Sequence, residues 1–263
     1  MNLKKFFDTL GMNGTVWQWK IWKWKKNFSG QIRGAQFQTS LLLILANGVV
    51  AAAGVKFFGL SHLFSPHSVS LLRMGAFNPE LFSQGEFWRI ITYGYLHIGI
   101  LHILMNMLSL SQVGPMLEEQ IGKRRLFVIY TFSLVAGATA DLIVRGGNSY
   151  AVIAGASGAI FGLIGFGISY EHFYGGPAGK QNRDFFFRWA LYALAFGWLV
   201  HADNIAHLGG MVTGMILGPL IYKERRIRQK TNFLWTILTI VCLLATVASF
   251  VGLIEWNRHI HLS

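Results

Sequence analysis

The sequence predicts an all-α polytopic membrane protein, and three observations support this fold class. The 263-residue chain is 53% hydrophobic and 13% charged, whereas a soluble domain usually carries about 25% charged residues. Apolar stretches long enough to cross a bilayer recur from residue 39 to the end of the chain. The 30 glycines suit helices in lipid, because small residues let neighbouring backbones approach closely.

Seven transmembrane spans are predicted, and the fifth is the shortest. Polar and basic residues precede the first apolar run, so this run is expected to remain a membrane helix rather than to be a cleaved signal peptide. The predicted organisation is a tail (1–38), a core (39–222) and a C-terminal segment (223–263) that holds a loop and the last span. The approximate spans are 39–58, 97–116, 125–144, 151–170, 185–200, 204–222 and 233–256.

The distribution of basic residues predicts the orientation. With the N-terminus in the cytoplasm, most of the 23 Lys and Arg residues fall in cytoplasmic segments, as the positive-inside rule requires; the C-terminus is then outside. The net charge of +12 does not indicate nucleic-acid binding, because the basic residues flank the apolar segments. The Trp- and Lys-rich segment 17–26 is either an interfacial anchor or a loose basic tail that only sets orientation. The apolar and aromatic loop 59–96 is expected at the outer membrane interface.

Four polar residues inside the predicted spans are candidates for function, because polar groups are costly in lipid. His102, Ser157 and His207 lie about five, six and three residues into spans two, four and six. All three spans run inwards, so these side chains are expected roughly 5–10 Å below the outer surface. Asn106 follows His102 at i+4 and therefore shares its helical face. Taken singly, His102 and Asn106 are each better explained as polar residues satisfied by neighbouring helices.

Glycines surround the candidate serine and follow the candidate histidine. Ser157 lies between Ala156 and Gly158, with Gly155 just before, and a tight turn there would expose its hydroxyl. His207 precedes a stripe of glycines at four-residue spacing that permits close contact with another helix. If that helix is span four, the imidazole reaches Ser157 as a general base. Alone, Ser157 fits simple packing, and His207 fits a histidine satisfied by a backbone carbonyl. The glycines of the stripe are Gly210, Gly214 and Gly218.

Other polar residues receive structural interpretations. Asp203, four residues before His207, is expected to cap a helix rather than to complete a triad. Asp141 is expected to pair or to reach towards the membrane surface, and His97 to tie the outer loop down. His102 and His207 have no apparent third partner for a metal site. The single cysteine, Cys242, excludes a disulfide within the chain.

These motifs together resemble those of the rhomboid intramembrane serine proteases. They occur in the family's order, and the resemblance covers roughly residues 39–222. The matching pieces are Trp88-Arg89, His97, His102 with Asn106, Glu118 with Gly122, the Gly155-Ala-Ser-Gly158 motif, and Ala206-His207-Leu-Gly-Gly210 with Gly214.

The resemblance implies a six-helix core, to which this chain adds a seventh span. It also implies that Ser157 is the nucleophile and His207 the base of a dyad without an acid, and that His102 and Asn106 help to form the oxyanion hole. Structural positions near the site are then Gly155, Gly158, His97, Phe161 and Gly210. Phe161 stands where some members have a tyrosine that packs on the catalytic histidine; a phenyl ring keeps the stacking surface and loses the hydroxyl.

The resulting hypothesis is proteolysis of transmembrane segments in a lipid bilayer, without a metal or cofactor and without nucleic acid. A bacterial plasma membrane is expected, because the N-terminal segment has no transit-peptide character. Two alternatives remain. A catalytically silent relative would bind membrane proteins with the same fold, although Ser157 and His207 are both present. A transporter would require internal repeats and midplane charges, and the sequence contains neither.

Overall fold

A computed structural model describes residues 38–199, 202–227 and 232–260 of the chain. The predicted N-terminal tail, with its Trp- and Lys-rich segment, lies outside these residues. The described part contains seven long helices, which we label α1 to α7 in chain order. They are α1 Gln38–Phe58, α2 Ile100–Ile121, α3 Lys123–Arg145, α4 Ser157–Tyr174, α5 Gly176–Leu199, α6 Asn204–Ile227 and α7 Asn232–Ile260.

The helices confirm the predicted class of an all-α polytopic membrane protein. Among the described residues, α1, α2, α3, α6 and α7 are each long and apolar enough to cross a bilayer. Helices α4 and α5 do not reach this level of hydropathy on their own. In α4 nearly every side chain from Gly158 to Glu171 is buried within the protein, so this helix packs against other helices instead of lipid. A helix shielded in this way can contain many glycines and polar residues.

Helix α4 lies at the centre of the bundle and contacts α2, α3, α5 and α6. Helix α7 packs on α3 and on the short helix Arg89–Thr92 of the loop between α1 and α2. The predicted fifth span, residues 185–200, corresponds to the later part of a longer helix. Helix α5 begins at Gly176 and therefore includes the polar segment 180–184, which was predicted as a loop. Hydropathy detects the apolar part of a helix and misses polar turns that extend beyond it. The predicted domain boundaries stay a prediction.

The loop between α1 and α2 is folded. Arg89, fully buried, holds it together: its guanidinium donates to the carbonyl oxygens of Leu72 (2.7 Å) and Ala76 (2.8 Å) and pairs with Glu86. These bonds satisfy a charge that would be costly to bury alone. The location of this loop at the outer membrane interface stays a prediction. Its short helices are Leu60–Leu63, Ser68–Arg73, Pro79–Ser83, Arg89–Thr92 and Tyr93–Tyr95.

Glu118 of α2 caps the beginning of α1. Its carboxylate accepts hydrogen bonds from the backbone N–H of Thr39 (2.9 Å) and Ser40 (3.0 Å) and from the Ser40 hydroxyl (2.6 Å). The first N–H groups of a helix have no partner within it, and a negative charge is favourable there. Gly122 forms the one-residue break between α2 and α3, and its N–H bonds to the Glu118 carbonyl (2.8 Å). Glu118 and Gly122 therefore occupy structural positions.

Candidate active site

Ser157 is the first residue of α4, and the segment before it is anchored to the loop between α1 and α2. Ile153 and Phe77 exchange two backbone hydrogen bonds, both 2.9 Å long, in an isolated antiparallel bridge. The N–H of Gly155 then donates to the carbonyl of Tyr93 (3.0 Å). These bonds keep residues 151–155 extended, so that α4 can begin only at Ser157. The serine is half-buried and thus lies near the surface of the bundle.

Both the backbone conformation at position 155 and the side chains around it require a glycine, Gly155. Its φ of +143° lies in a region that side chains rarely adopt. An added Cβ would lie 2.8 Å from the ring of His102 and 3.4 Å from the hydroxyl oxygen of Ser157. A Cβ on Gly158 would meet the Ala206 carbonyl of α6 at 3.4 Å. The two glycines of the motif therefore let α2 and α6 come close to the serine.

His207 of α6 reaches Ser157. The Nε2 atom of its buried imidazole lies 2.8 Å from the Ser157 hydroxyl oxygen, and Nδ1 lies 3.0 Å from Oδ1 of Asn204. The amide oxygen can only accept, so Nδ1 carries the proton in this arrangement and Nε2 is free to accept from the serine hydroxyl. This is the tautomer that a general base acting on Ser157 needs.

The predicted contact between the glycine stripe and span four is confirmed. A Cβ on Gly210 would overlap the carbonyl oxygen of Gly158, and one on Gly214 would overlap that of Gly162. Backbone therefore packs directly on backbone between α4 and α6, and a side chain has no room there. We call this contact the α4–α6 seam. It brings His207, one turn before Gly210, onto the face of α6 that meets Ser157.

Phe161 covers one face of the imidazole of His207. The two rings stack with centroids 4.4 Å apart and an interplanar angle of 18°. Phe161 lies one turn after Ser157 on α4 and is buried. The phenyl ring thus keeps the stacking that the resemblance to the rhomboid proteases implied for this position, and it limits the rotation of the imidazole.

His102 faces the same site from α2. Its Nδ1 accepts a hydrogen bond from the backbone N–H of Ile98 (3.2 Å), so a neutral ring carries its proton on Nε2. The ring edge with Nε2 lies against Gly155, next to Ser157. His97 packs edge-on against His102, with ring centroids 5.2 Å apart. Burial, and secondarily His102, lowers the pKa of His97 to about 3, so His97 stays neutral at physiological pH.

Asn106 lies one turn beyond His102 on α2 and is buried. Its amide nitrogen donates to the backbone carbonyl of His102 (3.0 Å), within its own helix. One of its two N–H groups is thereby used, and the second is available to another acceptor. The structure therefore gathers His102, Ser157 and His207 at one site, while Asn106 makes its hydrogen bond along α2.

The two aspartates behave as structural residues. Asp203 precedes α6, and its carboxylate accepts from the N–H groups of Ile205 (3.0 Å) and Ala206 (3.2 Å), which confirms a capping role. Asp141 is paired with Arg145 at 2.5 Å, which confirms the predicted pairing.

The helices begin where predicted for one of these three residues and later than predicted for the other two. His102 is the third residue of α2, Ser157 the first of α4 and His207 the fourth of α6. His207 therefore lies three residues into its helix, as predicted, whereas His102 and Ser157 lie nearer to the helix start than the five and six residues predicted, because residues 97–99 and 151–156 are not helical. The site is consequently formed by three helix N-termini. Here the partial positive charge of the helices and their unpaired N–H groups favour a developing negative charge.

Two contacts at the site were missed by sequence reasoning. Asn204 precedes His207 by three residues at the start of a helix, and this i, i+3 spacing was the available signal. Ile98 acts through its backbone N–H, for which the sequence carries no signal.

Comparison with known proteins shows the family to which this chain belongs. The family model described as "Rhomboid domain" matches residues 84–224, more than half of the chain. RHOMBOID-like protein 1 of Arabidopsis thaliana is 34% identical over 173 residues, which are 59% of this chain and 40% of that protein. RHOMBOID-like protein 4 of the same plant is 27% identical, over 75% of this chain and 55% of that protein.

A bacterial relative is described as a protease. Rhomboid protease GluP of Bacillus subtilis is 35% identical over 159 residues, which are 57% of this chain and 29% of that protein. The chain thus spans only part of the length of these relatives. The domain match covers α2 to α6, which contain Ser157 and His207. Together, the matched domain and the relatives show that this multi-pass membrane protein belongs to the rhomboid family.

Proposed function

We propose that this chain is a serine endopeptidase that cleaves transmembrane segments of other proteins with a Ser157–His207 dyad. The observation that carries the proposal is the 2.8 Å hydrogen bond between the Ser157 hydroxyl and Nε2 of His207. A serine hydroxyl is a weak nucleophile, and it becomes reactive when an adjacent base accepts its proton.

The reaction proceeds in two half-reactions. The Ser157 oxygen forms a bond to the scissile carbonyl carbon while its proton moves to Nε2 of His207. The resulting imidazolium gives this proton to the leaving nitrogen as the C–N bond breaks, which leaves an acyl-enzyme. Water then attacks the ester carbonyl carbon and transfers a proton to His207. As the bond between this carbon and the Ser157 oxygen breaks, His207 returns the proton to the serine oxygen, and the acid product is released.

An oxyanion hole is formed in this proposal by three donors. The backbone N–H of Ser157 belongs to the first turn of α4 and has no partner within the helix. His102 contributes Nε2–H, because its Nδ1 accepts from Ile98. Asn106 contributes the second N–H of its amide. Loss of one such donor typically lowers kcat by about 10²–10³-fold.

The substrate is a transmembrane segment with helix-destabilising residues such as glycine or proline, since an intact helix hides its carbonyls in hydrogen bonds. The proposed orientation has the N-terminus in the cytoplasm, with the site near the outer surface, from which water enters. The proposed membrane is the bacterial plasma membrane. The relatives described above come from a plant and from a bacterium.

The test uses cleavage of a model single-span substrate and labelling by a fluorophosphonate in detergent micelles. Wild type is expected to cleave and to be labelled, while Ser157→Ala and His207→Ala lose both activities. Ser169→Ala is the matched control on the same helix, because the Ser169 hydroxyl donates to the Phe166 carbonyl. Undiminished cleavage by Ser157→Ala would refute the assignment of Ser157 as the nucleophile. A wild type inert to probe and substrate would instead support a binding protein without catalytic activity.

A further inference from the structure

We propose that Asn204 is a third, positioning member of the site that holds His207 in the tautomer required of the base. The inference rests on the proposed function and extends the dyad by one residue. Asn204 is the first residue of α6, one turn before His207, and is half-buried beside it. Its Oδ1 lies 3.0 Å from Nδ1 of His207.

The orientation of the Asn204 amide follows from its other contact. Its Nδ2 lies 3.5 Å from the backbone carbonyl of Leu194 on α5. A carbonyl only accepts, so the amide nitrogen belongs on that side and the amide oxygen faces the imidazole. The reverse orientation would set two acceptors against each other. Helix α5 therefore fixes the amide, and the amide in turn fixes the ring.

Close packing leaves the Asn204 side chain little freedom. Gly197 of α5 faces it, and a Cβ at this position would lie 2.8 Å from Oδ1 of Asn204 and 3.6 Å from the His207 ring. On the other side, Phe161 stacks on the imidazole. The ring is thus held by a stacking partner and by a hydrogen bond on Nδ1, which leaves Nε2 directed at Ser157.

The chemical consequence concerns the two nitrogens of the ring. A neutral imidazole in water favours the proton on Nε2, and in that form it cannot accept the Ser157 proton. An acceptor on Nδ1 selects the opposite tautomer, and the same hydrogen bond persists when Nε2 is protonated during the reaction. Asn204 contacts Nδ1 of His207 and not the reacting nitrogen Nε2, so in this proposal its effect is exerted through His207.

The test compares Asn204→Leu, Asn204→Ala and Asn204→Asp. Leucine and alanine remove the acceptor, and we expect kcat and the rate of fluorophosphonate labelling to fall by about 100-fold with little change in KM, as for a small misplacement of a catalytic group. Aspartate keeps an acceptor for Nδ1–H but sets a carboxylate oxygen against the Leu194 carbonyl, so it is expected to lose less activity than leucine or alanine without reaching the wild-type level. Thr213→Ala is the control on the same helix, since its hydroxyl donates to the Gly209 carbonyl.

The ¹⁵N chemical shifts of the His207 ring, assigned by comparison with His207→Ala, provide a readout without catalysis. Wild type is expected to show a protonated Nδ1 and an unprotonated Nε2, and Asn204→Leu a shift towards the other tautomer. Wild-type kcat and unchanged ring shifts in the leucine and alanine variants would overturn the inference, as would a loss of kcat in these variants without a change in the ring shifts. An inert wild type would refute the proposed function, while the ring shifts would still decide the role of Asn204.

Discussion

The α4–α6 seam and the contact between α7 and the loop between α1 and α2 are built in opposite ways. At the seam, side chains are absent, and Gly210 and Gly214 rest on the backbone oxygens of Gly158 and Gly162. At the other contact, large side chains meet: Trp256 of α7 packs against the Trp88 ring, with centroids 6.2 Å apart.

The two contacts differ in how far their geometry can adjust. Backbone-to-backbone contact fixes the separation of two helices within tenths of an ångström, because neither side can move aside. Contacts between large side chains can adjust by rotamer changes, so they fix position less sharply. The residues that require a 2.8 Å hydrogen bond lie at the end of the rigid contact. The seventh helix, which lies beyond the matched family domain, meets the loop between α1 and α2 through the adaptable contact.

Gly214→Ala is expected to give the largest loss of labelling. The added Cβ would overlap the Gly162 carbonyl, which separates α4 from α6 and breaks the Ser157–His207 hydrogen bond. We expect a destabilisation of about 1–3 kcal/mol, measured by thermal unfolding in micelles. We also expect the rate of fluorophosphonate labelling to fall by about 100-fold. Gly48→Ala in α1 is the control, because its Cβ would meet nothing within 4 Å. Wild-type labelling of Gly214→Ala would show that the seam does not control the site.

The Arg89→Gln variant tests how much the buried arginine stabilises the loop between α1 and α2. Arg89 is fully buried, and its replacement leaves Glu86 without its cation and the carbonyls of Leu72 and Ala76 without a charged donor. Breaking a buried ion pair in this way typically costs about 3–5 kcal/mol. We therefore expect Arg89→Gln to lose more stability than Gly214→Ala, and its labelling rate to fall less. Thermal unfolding measures this loss.

The chain offers a matched control for Arg89. Arg258 pairs with Glu255 at the same i, i+3 spacing, at 2.8 Å, but both side chains are more than half exposed. Arg258→Gln is therefore expected to change stability by no more than about 0.5 kcal/mol. Equal losses for the two variants would mean that burial of Arg89 does not determine its contribution.

The number and class of the helices could be predicted from the sequence, and their boundaries could not. Long apolar runs separated by basic loops are a direct consequence of spanning a bilayer. Residues 151–155 are apolar as well, yet they are extended because Ile153 pairs with Phe77, about 75 positions earlier in the chain. A long-range contact of this kind is not encoded in local hydropathy, so the predicted fourth span began too early.

The candidate site was predictable where its residues form motifs. The four-residue glycine spacing after His207 predicts a closely packed helix face, and the glycines around Ser157 predict an exposed hydroxyl. Asn204 carries only the i, i+3 spacing to His207, which is a weaker signal because asparagine at the start of a helix is common. Its role depends on the Leu194 carbonyl of another helix and on the rotamer of His207. Both are properties of the folded chain.

Trp256→Ala is expected to give the smallest effect. The indole of Trp256 packs on Trp88 and lies over the Arg89 guanidinium, whose carbon is 5.3 Å from the ring centroid. Such aromatic and cation–π contacts contribute about 1–2 kcal/mol, so the midpoint of thermal unfolding should fall. The labelling rate well below this midpoint should match wild type, because the α4–α6 seam is untouched. Trp256→Phe keeps an aromatic face and should recover part of the loss. A labelling rate that falls in Trp256→Ala far below its unfolding midpoint would mean that the seventh helix acts on the site through the loop, so that the two contacts form one coupled unit.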